Sequence, residues 1–349
     1  MIRIAIDCMG GDNGISVTVP AAVRFAHRIA DVHFLLVGDE TKIKKSLNHS
    51  KPRDPNQFEI IPCNEVITGE DAVESALRHK KGSTMHVAIK LVSEQKADAC
   101  ISAGNTGALM AISRLILKTL DGIKRPAIAS AIPNISGGGT YVLDLGANVD
   151  CTPQHLQQFA IMGTALVQAI EEIDNPTLGL LNIGHETHKG NDVVRKTYSL
   201  LQESGLNFIG NVEGDDIFKS KCNVVVCDGF VGNVMLKTSE GLAKMISQKL
   251  KKRFLHSFFT KLIAFIAKPV LSKFKEEVDN RRYNGAVFLG LKGVVVKSHG
   301  SADSLAFKHA IYKAYSAIKF DILNKISVKV GELQSTEVSE QISNNTEHA

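Results

Sequence analysis

Four short stretches gather glycine, asparagine and aspartate in the manner of anion-binding loops. They are Gly10-Gly11-Asp12, Ser102-Ala103-Gly104-Asn105-Thr106-Gly107, the segment from Gly184 to Gly190-Asn191, and Asp228-Gly229-Phe230-Val231-Gly232-Asn233. Glycine lets a backbone turn tightly and bring its N–H groups close to an anion, and a helix that begins there adds the positive end of its dipole. A single loop of this kind is also what any tight turn in an α/β protein uses. Four together, two with Gly-Asn pairs at a helix start, point to an oxyanion or phosphate site. Other chemistries lack their residues. There is no G-x-G-x-x-G, no Walker lysine loop and no G-x-S-x-G elbow. His185-Glu186-Thr187-His188 spaces its histidines three apart, not four as on a zinc-binding helix, so no metal and no cofactor are expected. Cys8 and Cys151 lie near loops without a charged partner in sequence and read as small buried thiols.

These loops need elements to hold them. Apolar runs of strand length recur, each followed by a polar or glycine-rich loop and often by a helix-period segment. Ile2–Asp7 leads to a helix reaching about Ile29, and Val32–Val37 follows. Ala99–Ala103 leads to a helix at Ala108–Leu117, and Tyr141–Leu145 to one at Pro153–Ile173, where Pro153 suits the first turn. Leu178–Ile183 comes next, then Val224–Cys227 with a long helix from about Gly232. Last is Val294–Lys297, followed by His299-Gly300 and a helix at Asp303–Phe320. Strands alternating with helices predict an α/β fold of three layers, α/β/α, around a mostly parallel sheet. Ligands of such sheets bind beyond the carboxyl ends of the strands, where all four loops fall. A single catalytic domain over 1–330 is expected, with a helical arm at about 240–278. The tail at 331–349, rich in Ser, Thr, Glu, Gln and Asn, is expected to be disordered.

Charge singles out the arm. From Lys244 to Lys275 lie nine of the 41 Lys and Arg and none of the 36 Asp and Glu, which leaves 32 basic against 36 acidic residues elsewhere. The same window holds five of the fifteen Phe. Apolar residues at 254, 255, 258, 259, 262, 263 and 266 fall on one face of a predicted helix, and Pro269 interrupts or kinks it. A segment both basic and apolar suits a target both anionic and oily, and Lys251, Lys252, Arg253, Phe254, Phe258, Phe259, Lys261, Leu262 and Phe265 are its candidate contacts. The alternative is a helix packed into a core or dimer interface with solvated lysines. No apolar run approaches the roughly 20 residues that cross a bilayer. Met1 to Asp7 alternates and soon meets an acid, unlike a secretory signal, and the six cysteines form no CxxC, so a reducing cytoplasm is expected.

Read together, the loops resemble the PlsX family, the acyl-acyl-carrier-protein:phosphate acyltransferases of bacterial phospholipid synthesis. The resemblance rests on Ile4-Ala5-Ile6-Asp7-Cys8-Met9-Gly10-Gly11-Asp12, on the stretch Ser102 to Met110, and on Leu143-Asp144-Leu145-Gly146-Ala147-Asn148. It rests further on Gln158-Phe159-Ala160 with Met162-Gly163, Gly179 to Gly184, Lys189-Gly190-Asn191 and Asp228 to Asn233, and it spans roughly Met1 to Phe320. Cys8, Gly82, His185 and Asn284 depart from the usual residues of the family, which are Ala, an acid, Glu and Gly. The fold implied is similar to that of phosphotransacetylases and isocitrate or isopropylmalate dehydrogenases.

The resemblance implies transfer of a fatty acyl group from the thioester of acyl carrier protein to inorganic phosphate. Phosphate is already charged, with a second pKa of about 6, and a thiol of pKa about 8.5 leaves without strong acid help. The protein has to place the phosphate and stabilise the oxyanion. In that scheme Gly10, Gly11, Asp12, Gly104, Asn105, Thr106 and Asn191 hold phosphate, Lys189 supplies a cation and Asn233 donates to the oxyanion. His299 protonates the sulfur, holds phosphate or merely precedes the Asp303 helix as a cap. Asp7 and Asp12 orient donors. The implied partners are acyl carrier protein, inorganic phosphate, a second copy of the chain, the anionic inner face of the cell membrane and a membrane-bound glycerol-3-phosphate acyltransferase that takes the product. No nucleic-acid partner is implied. Three other readings remain open: a phosphate acetyltransferase using coenzyme A thioesters, a metal-dependent decarboxylating dehydrogenase, and a membrane-bound scaffold.

Overall fold

In the computed structural model, which describes residues 1–277 and 279–332, one sheet of eleven strands organises the chain. The strands are β1 (Ile2–Asp7), β2 (Val32–Gly38), β3 (Phe58–Pro62), β4 (Ala99–Ser102), β5 (Ala127–Pro133), β6 (Gly139–Leu143), β7 (Leu178–Leu181), β8 (Phe208–Val212), β9 (Val224–Val226), β10 (Ala286–Leu289) and β11 (Val294–Lys297). The helices are α1 (Ile15–Ala26), α2 (Glu40–Ser50), α3 (Val73–His79), α4 (Thr84–Ser93), α5 (Thr106–Leu117), α6 (Pro153–Glu171), α7 (Asp192–Gln202), α8 (Gly229–Phe254), α9 (Phe258–Ile266), α10 (Lys268–Glu277) and α11 (Ser304–Lys319). A helical segment continues over 322–332. The expected tail is therefore helical at 331–332, and its remainder, 333–349, lies outside the described residues.

Alternation along the strands makes the three layers. Ile4 and Ile6 of β1, with Phe34 and Leu36 of β2, bury themselves against α1, α2 and α11, and further along the same face the sheet is covered by α6 and α7. Ala5, Leu35 and Val37 point the other way, to a second core under α4, α5 and the start of α8. The fold is the expected α/β/α sandwich.

The strand order is β3-β2-β1-β4-β11-β10-β5-β6-β9-β7-β8. β1 to β4 and β11 are mutually parallel, and so are β6 to β9. Between the two blocks three successive pairings are antiparallel: β11–β10, β10–β5 and β5–β6. The blocks therefore run in opposite senses, and their carboxyl ends do not share an edge. This corrects the picture of four loops on a single rim.

The arm leaves the body through α8. Every residue from Gly241 to Arg253 is exposed. The expected single helix through Phe254–Ile266 is broken instead. Leu255 closes α8, and Ser257 opens α9 with a capping box in which its hydroxyl accepts from the Thr260 N–H and Thr260 Oγ1 accepts from the Ser257 N–H. Pro269 stands in the first turn of α10, where its missing N–H costs nothing. Among the described residues no helix is long and apolar enough to cross a membrane.

Candidate active site

Three strand ends build the first polar cluster. Asp7 closes β1 and is fully buried. Its Oδ1 accepts from the N–H groups of Met9 (3.3 Å) and Gly10 (3.1 Å), and its Oδ2 from the Ser102 hydroxyl (2.7 Å). Ser102 Oγ accepts in turn from the Gly104 N–H at 3.0 Å. Burial pushes the Asp7 carboxyl above its ordinary pKa, and these donors oppose that rise. A Cβ on Gly10 would lie 2.6 Å from Asp7 Oδ2 and 2.9 Å from the Gly104 nitrogen, so the loops after β1 and β4 meet only because residue 10 has no side chain. The end of β11 joins them. Ser298 N–H donates to the Ser102 carbonyl and Asp12 N–H to the Gly300 carbonyl, both at 2.9 Å.

His299 stands over this cluster. Its backbone N–H donates to Asn284 Oδ1 (2.9 Å), while Asn284 Nδ2 donates to Ser298 Oγ (2.9 Å) and the Ala306 carbonyl (2.8 Å). Asn284, one of the four departures from the family pattern, thus ties the β11 loop to α11. The His299 Nδ1 accepts from the Ser301 backbone N–H at 3.2 Å, which assigns the ring proton to Nε2. Burial, then the nearby Lys237, hold the imidazole below its ordinary pKa. At neutral pH it is an uncharged Nε2–H donor, which favours holding an oxyanion over protonating a sulfur.

The second cluster lies at the ends of β6 and β9. Asp144 is buried and accepts from the N–H groups of Ile128 (2.9 Å), Ala147 (3.1 Å) and Asn148 (2.7 Å), and from Asn148 Nδ2 (2.9 Å). Asp228 caps α8 by accepting from the Val231 N–H at 2.8 Å, and Gly229 N–H donates to the Asn148 carbonyl. Asn233 is exposed one turn later, with its side chain against Gly146. Lys189 and Asn191 belong to the neighbouring loop after β7. Lys189 N–H donates to the Glu186 carbonyl, and Asn191 caps α7 by accepting from the Val194 N–H at 2.9 Å. Among the described residues no hydrogen bond or ion pair joins that loop to the other two.

Helix α8 connects the clusters. Asn233, Lys237, Glu240 and Lys244 recur at four, three and four residues and share one face. Lys237 pairs with Glu240 (3.0 Å), Glu240 reaches His299 Nε2 (4.0 Å), and both Lys237 and Lys244 act electrostatically on His299.

Gly10, Gly11, Asp12, Gly104, Asn105 and Thr106 therefore lie together, Asn233 lies near the start of α8 one turn before Lys237, and Lys189 with Asn191 lies apart. Several expected donors are already engaged. The amides of Gly10, Asp12 and Gly104 have acceptors inside the chain, as given above. Asn105 caps α5 by accepting from the Ala108 N–H at 3.0 Å, and its Nδ2 donates to the Gly69 carbonyl at 3.3 Å. What α5 offers an anion is the first-turn N–H groups of Thr106 and Gly107, which a helix cannot pair itself. Burial works against Cys8 and Cys151 as nucleophiles. Burial, with Asp7, pushes the Cys8 thiol up, and burial with Asp144 and Asp228 pushes Cys151 up to about 12.

Two groups at the site escaped the sequence reading. Lys237 lies outside the basic window of Lys244 to Lys275 and stands in no motif. Lys297 closes the run Val294-Val295-Val296, where the sequence shows a strand end and no more. Its Nζ donates to the Ala103 carbonyl (3.3 Å) and to the Ser298 carbonyl. A lysine that ends a fully apolar strand beside a polar loop was the available signal, because such a residue is carried inward by its strand.

Comparison with known proteins agrees with this fold. A family model described as "Fatty acid synthesis protein" matches residues 2–325. A phosphate acyltransferase of Bordetella petrii is 59% identical over 318 residues, 91% of this chain and 90% of that protein. One of Paraburkholderia phytofirmans is 57% identical over 326 residues, 93% and 88% of the two chains. In fold, the chain is similar to a phosphotransacetylase from Streptococcus pyogenes, with a TM-score of 0.59 and 19% identity over 91% of this chain and 94% of that one. It is also similar to a branched-chain phosphotransacylase from Enterococcus faecalis, with a TM-score of 0.54 and 14% identity over 91% and 100%. With a match running from strand β1 into the last helical segment, the chain belongs to the fatty acid synthesis protein family, the PlsX family whose loops it resembles.

Proposed function

We propose that this acyltransferase moves a fatty acyl group from the thioester of acyl carrier protein to inorganic phosphate, forming an acyl phosphate for phospholipid synthesis. The observation that carries the reading is the clustering of Lys237, Lys244, Lys297 and an Nε2–H histidine around the ends of β1, β4 and β11, with no carboxylate paired to Lys297 among the described residues. A phosphate oxygen attacks the thioester carbonyl, a C–O bond forms, the C–S bond breaks and the thiolate leaves. No covalent enzyme intermediate is needed. His299 Nε2–H and the α5 amides face the phosphate and Asn233 serves the oxyanion, while Lys189 and Asn191, apart in the loop after β7, are left out of the site. The test is to incubate the purified protein with long-chain acyl carrier protein and phosphate and to follow acyl phosphate. No product from the carrier-protein donor, with product from acyl coenzyme A, would reassign the donor.

The arm supports the lipid side of this reading. Phe258 and Phe259 are 78% and 76% exposed and Phe265 is 73% exposed, so the arm is not packed into the core of its own chain. Lys251, Lys252, Arg253 and Lys261 accompany these rings along with Phe254 and Leu262, a composition suited to an anionic membrane and to an acidic carrier protein. The reading places the protein in the cytoplasm as a single catalytic domain over 1–330, homodimeric, resting on the inner face of the cell membrane, and passing its product to a membrane-bound glycerol-3-phosphate acyltransferase. Replacing both Phe258 and Phe259 by Glu is expected to weaken binding to anionic vesicles by about 10- to 100-fold, from the lost apolar burial alone, with the unfolding midpoint unchanged. Undiminished co-sedimentation with vesicles would leave the exposed rings to a protein interface.

A further inference from the structure

Resting on that reading, we infer that Lys297 is the residue that grips the phosphate, reaching it from inside the sheet through one remaining ammonium N–H. An ammonium group has three donors and no acceptor. Two of those of Lys297 go to neutral carbonyls, Ala103 and Ser298, which fix the direction of Nζ without neutralising it. None of the described residues accepts from the third. The nearby acids do not pair with it either. Asp7 is turned to Met9, Gly10 and Ser102, and no ion pair links Asp12 to Lys297 among the described residues.

The surrounding loops make this position decisive. Glycine loops suggest that backbone amides hold the anion, yet the amides of Gly10, Asp12 and Gly104 already have acceptors within the chain. Their work is to hold the strand ends together. An anion at this cluster depends on donors that remain: the Gly11 N–H, the first-turn amides of α5, the His299 Nε2–H, Lys237 and Lys244 on α8, and Lys297. Only Lys297 among these is a fixed charge carried by a strand. A partly buried cation without a carboxylate partner is costly unless an anion completes it, and a dianionic phosphate does so.

The ammonium is also poised to lose its proton. Burial first, then repulsion by Lys237, bring Lys297 from its ordinary range to about 8, against the pull of Asp7 and Asp12. The facing titratable groups are Lys237 on α8, Asp7 at the end of β1, Asp12 in the loop that follows it, and His299. Being a lysine with a depressed pKa, Lys297 is charged below about 8 and neutral above it, so phosphate binding weakens as pH rises through that value.

The test uses the full chain with long-chain acyl carrier protein and varied phosphate. Lys297→Ala is expected to raise the KM for phosphate by about 10- to 100-fold, the range of one charge-assisted hydrogen bond, while the KM for the acyl donor stays within about twofold. Lys297→Arg keeps the charge; it recovers part of the loss and removes the rise in phosphate KM above about pH 8. Thermal unfolding of both variants identifies any that fail to fold, and phosphate-induced protection against unfolding then compares Lys297→Arg with the parent directly. A parent enzyme that makes acyl phosphate, beside a folded Lys297→Ala with an unchanged phosphate KM, overturns the role given to Lys297 and leaves the reaction intact. A parent that makes none under any phosphate concentration overturns the reaction itself.

Discussion

Asn233→Ala is expected to lower the maximal rate of acyl phosphate formation by about 10²- to 10³-fold, the usual loss when one oxyanion donor is removed. The geometry makes this a clean substitution. Asn233 is exposed on the second turn of α8, and no hydrogen bond of its side chain to another described residue holds the fold together. Alanine is also the better helix former, so the variant is expected to be as stable as its parent or more so by about 0.5 kcal/mol. The loss therefore belongs in kcat, with binding of phosphate and acyl donor little changed, because an oxyanion exists only after attack. Steady-state rates with each substrate varied, beside a thermal melt, decide the matter. A rate within about threefold of the parent would remove Asn233 from the chemistry and leave Gly146 and Asn233 as a packing contact.

The second expectation concerns stability. Gly232→Ala should lower the unfolding free energy by about 3 kcal/mol or more, whereas Gly241→Ala, nine residues further along the same helix, should raise it by up to about 1 kcal/mol. A Cβ at residue 232 would stand 1.9 Å from the Asp144 carbonyl oxygen and 3.0 Å from the Cys227 sulfur, and the first of these is backbone that cannot rotate away. The start of α8 would have to lift from the end of β6, opening the network in which four N–H groups converge on Asp144. At residue 241 a Cβ meets nothing within 4 Å, and the backbone entropy of glycine is all that changes. Midpoints from urea titrations of the two variants test both signs. A Gly232→Ala protein as stable as its parent would mean that α8 is not seated on β6 as described.

The strands bearing the polar loops were legible because period-two alternation and apolar runs are local properties. Ile2–Asp7 and Val294–Lys297 have the bounds expected for them, and Ala99–Ala103 and Leu178–Ile183 are shorter by one and two residues. Glycine and asparagine marked the loops for the same local reason. The strand Phe58–Pro62 and the helices α2 and α7 went unread, since their surfaces are half exposed and their apolar pattern is diluted by charge. The arm was visible as charge and aromatic content, yet its break at Leu255–Ser257 depends on a capping box whose Ser and Thr stand in an otherwise helical pattern.

By itself the sequence determined the α/β layering, the residues that turn at the strand ends and the basic, apolar character of the arm, because each follows from composition or from neighbours within a few positions; the family came from the resemblance of its loop motifs. Tertiary structure alone decided which loops meet. Three antiparallel pairings between β11 and β6 turn the second block of strands around, so the Gly10, Gly104 and Lys297 ends form one cluster and the Asp144 and Asn233 ends another, joined along α8. It also decided which donors are available, since an amide's partner is set by strand pairing across nearly the whole chain. The Asp12 N–H ends on Gly300, and the Lys297 ammonium ends on Ala103.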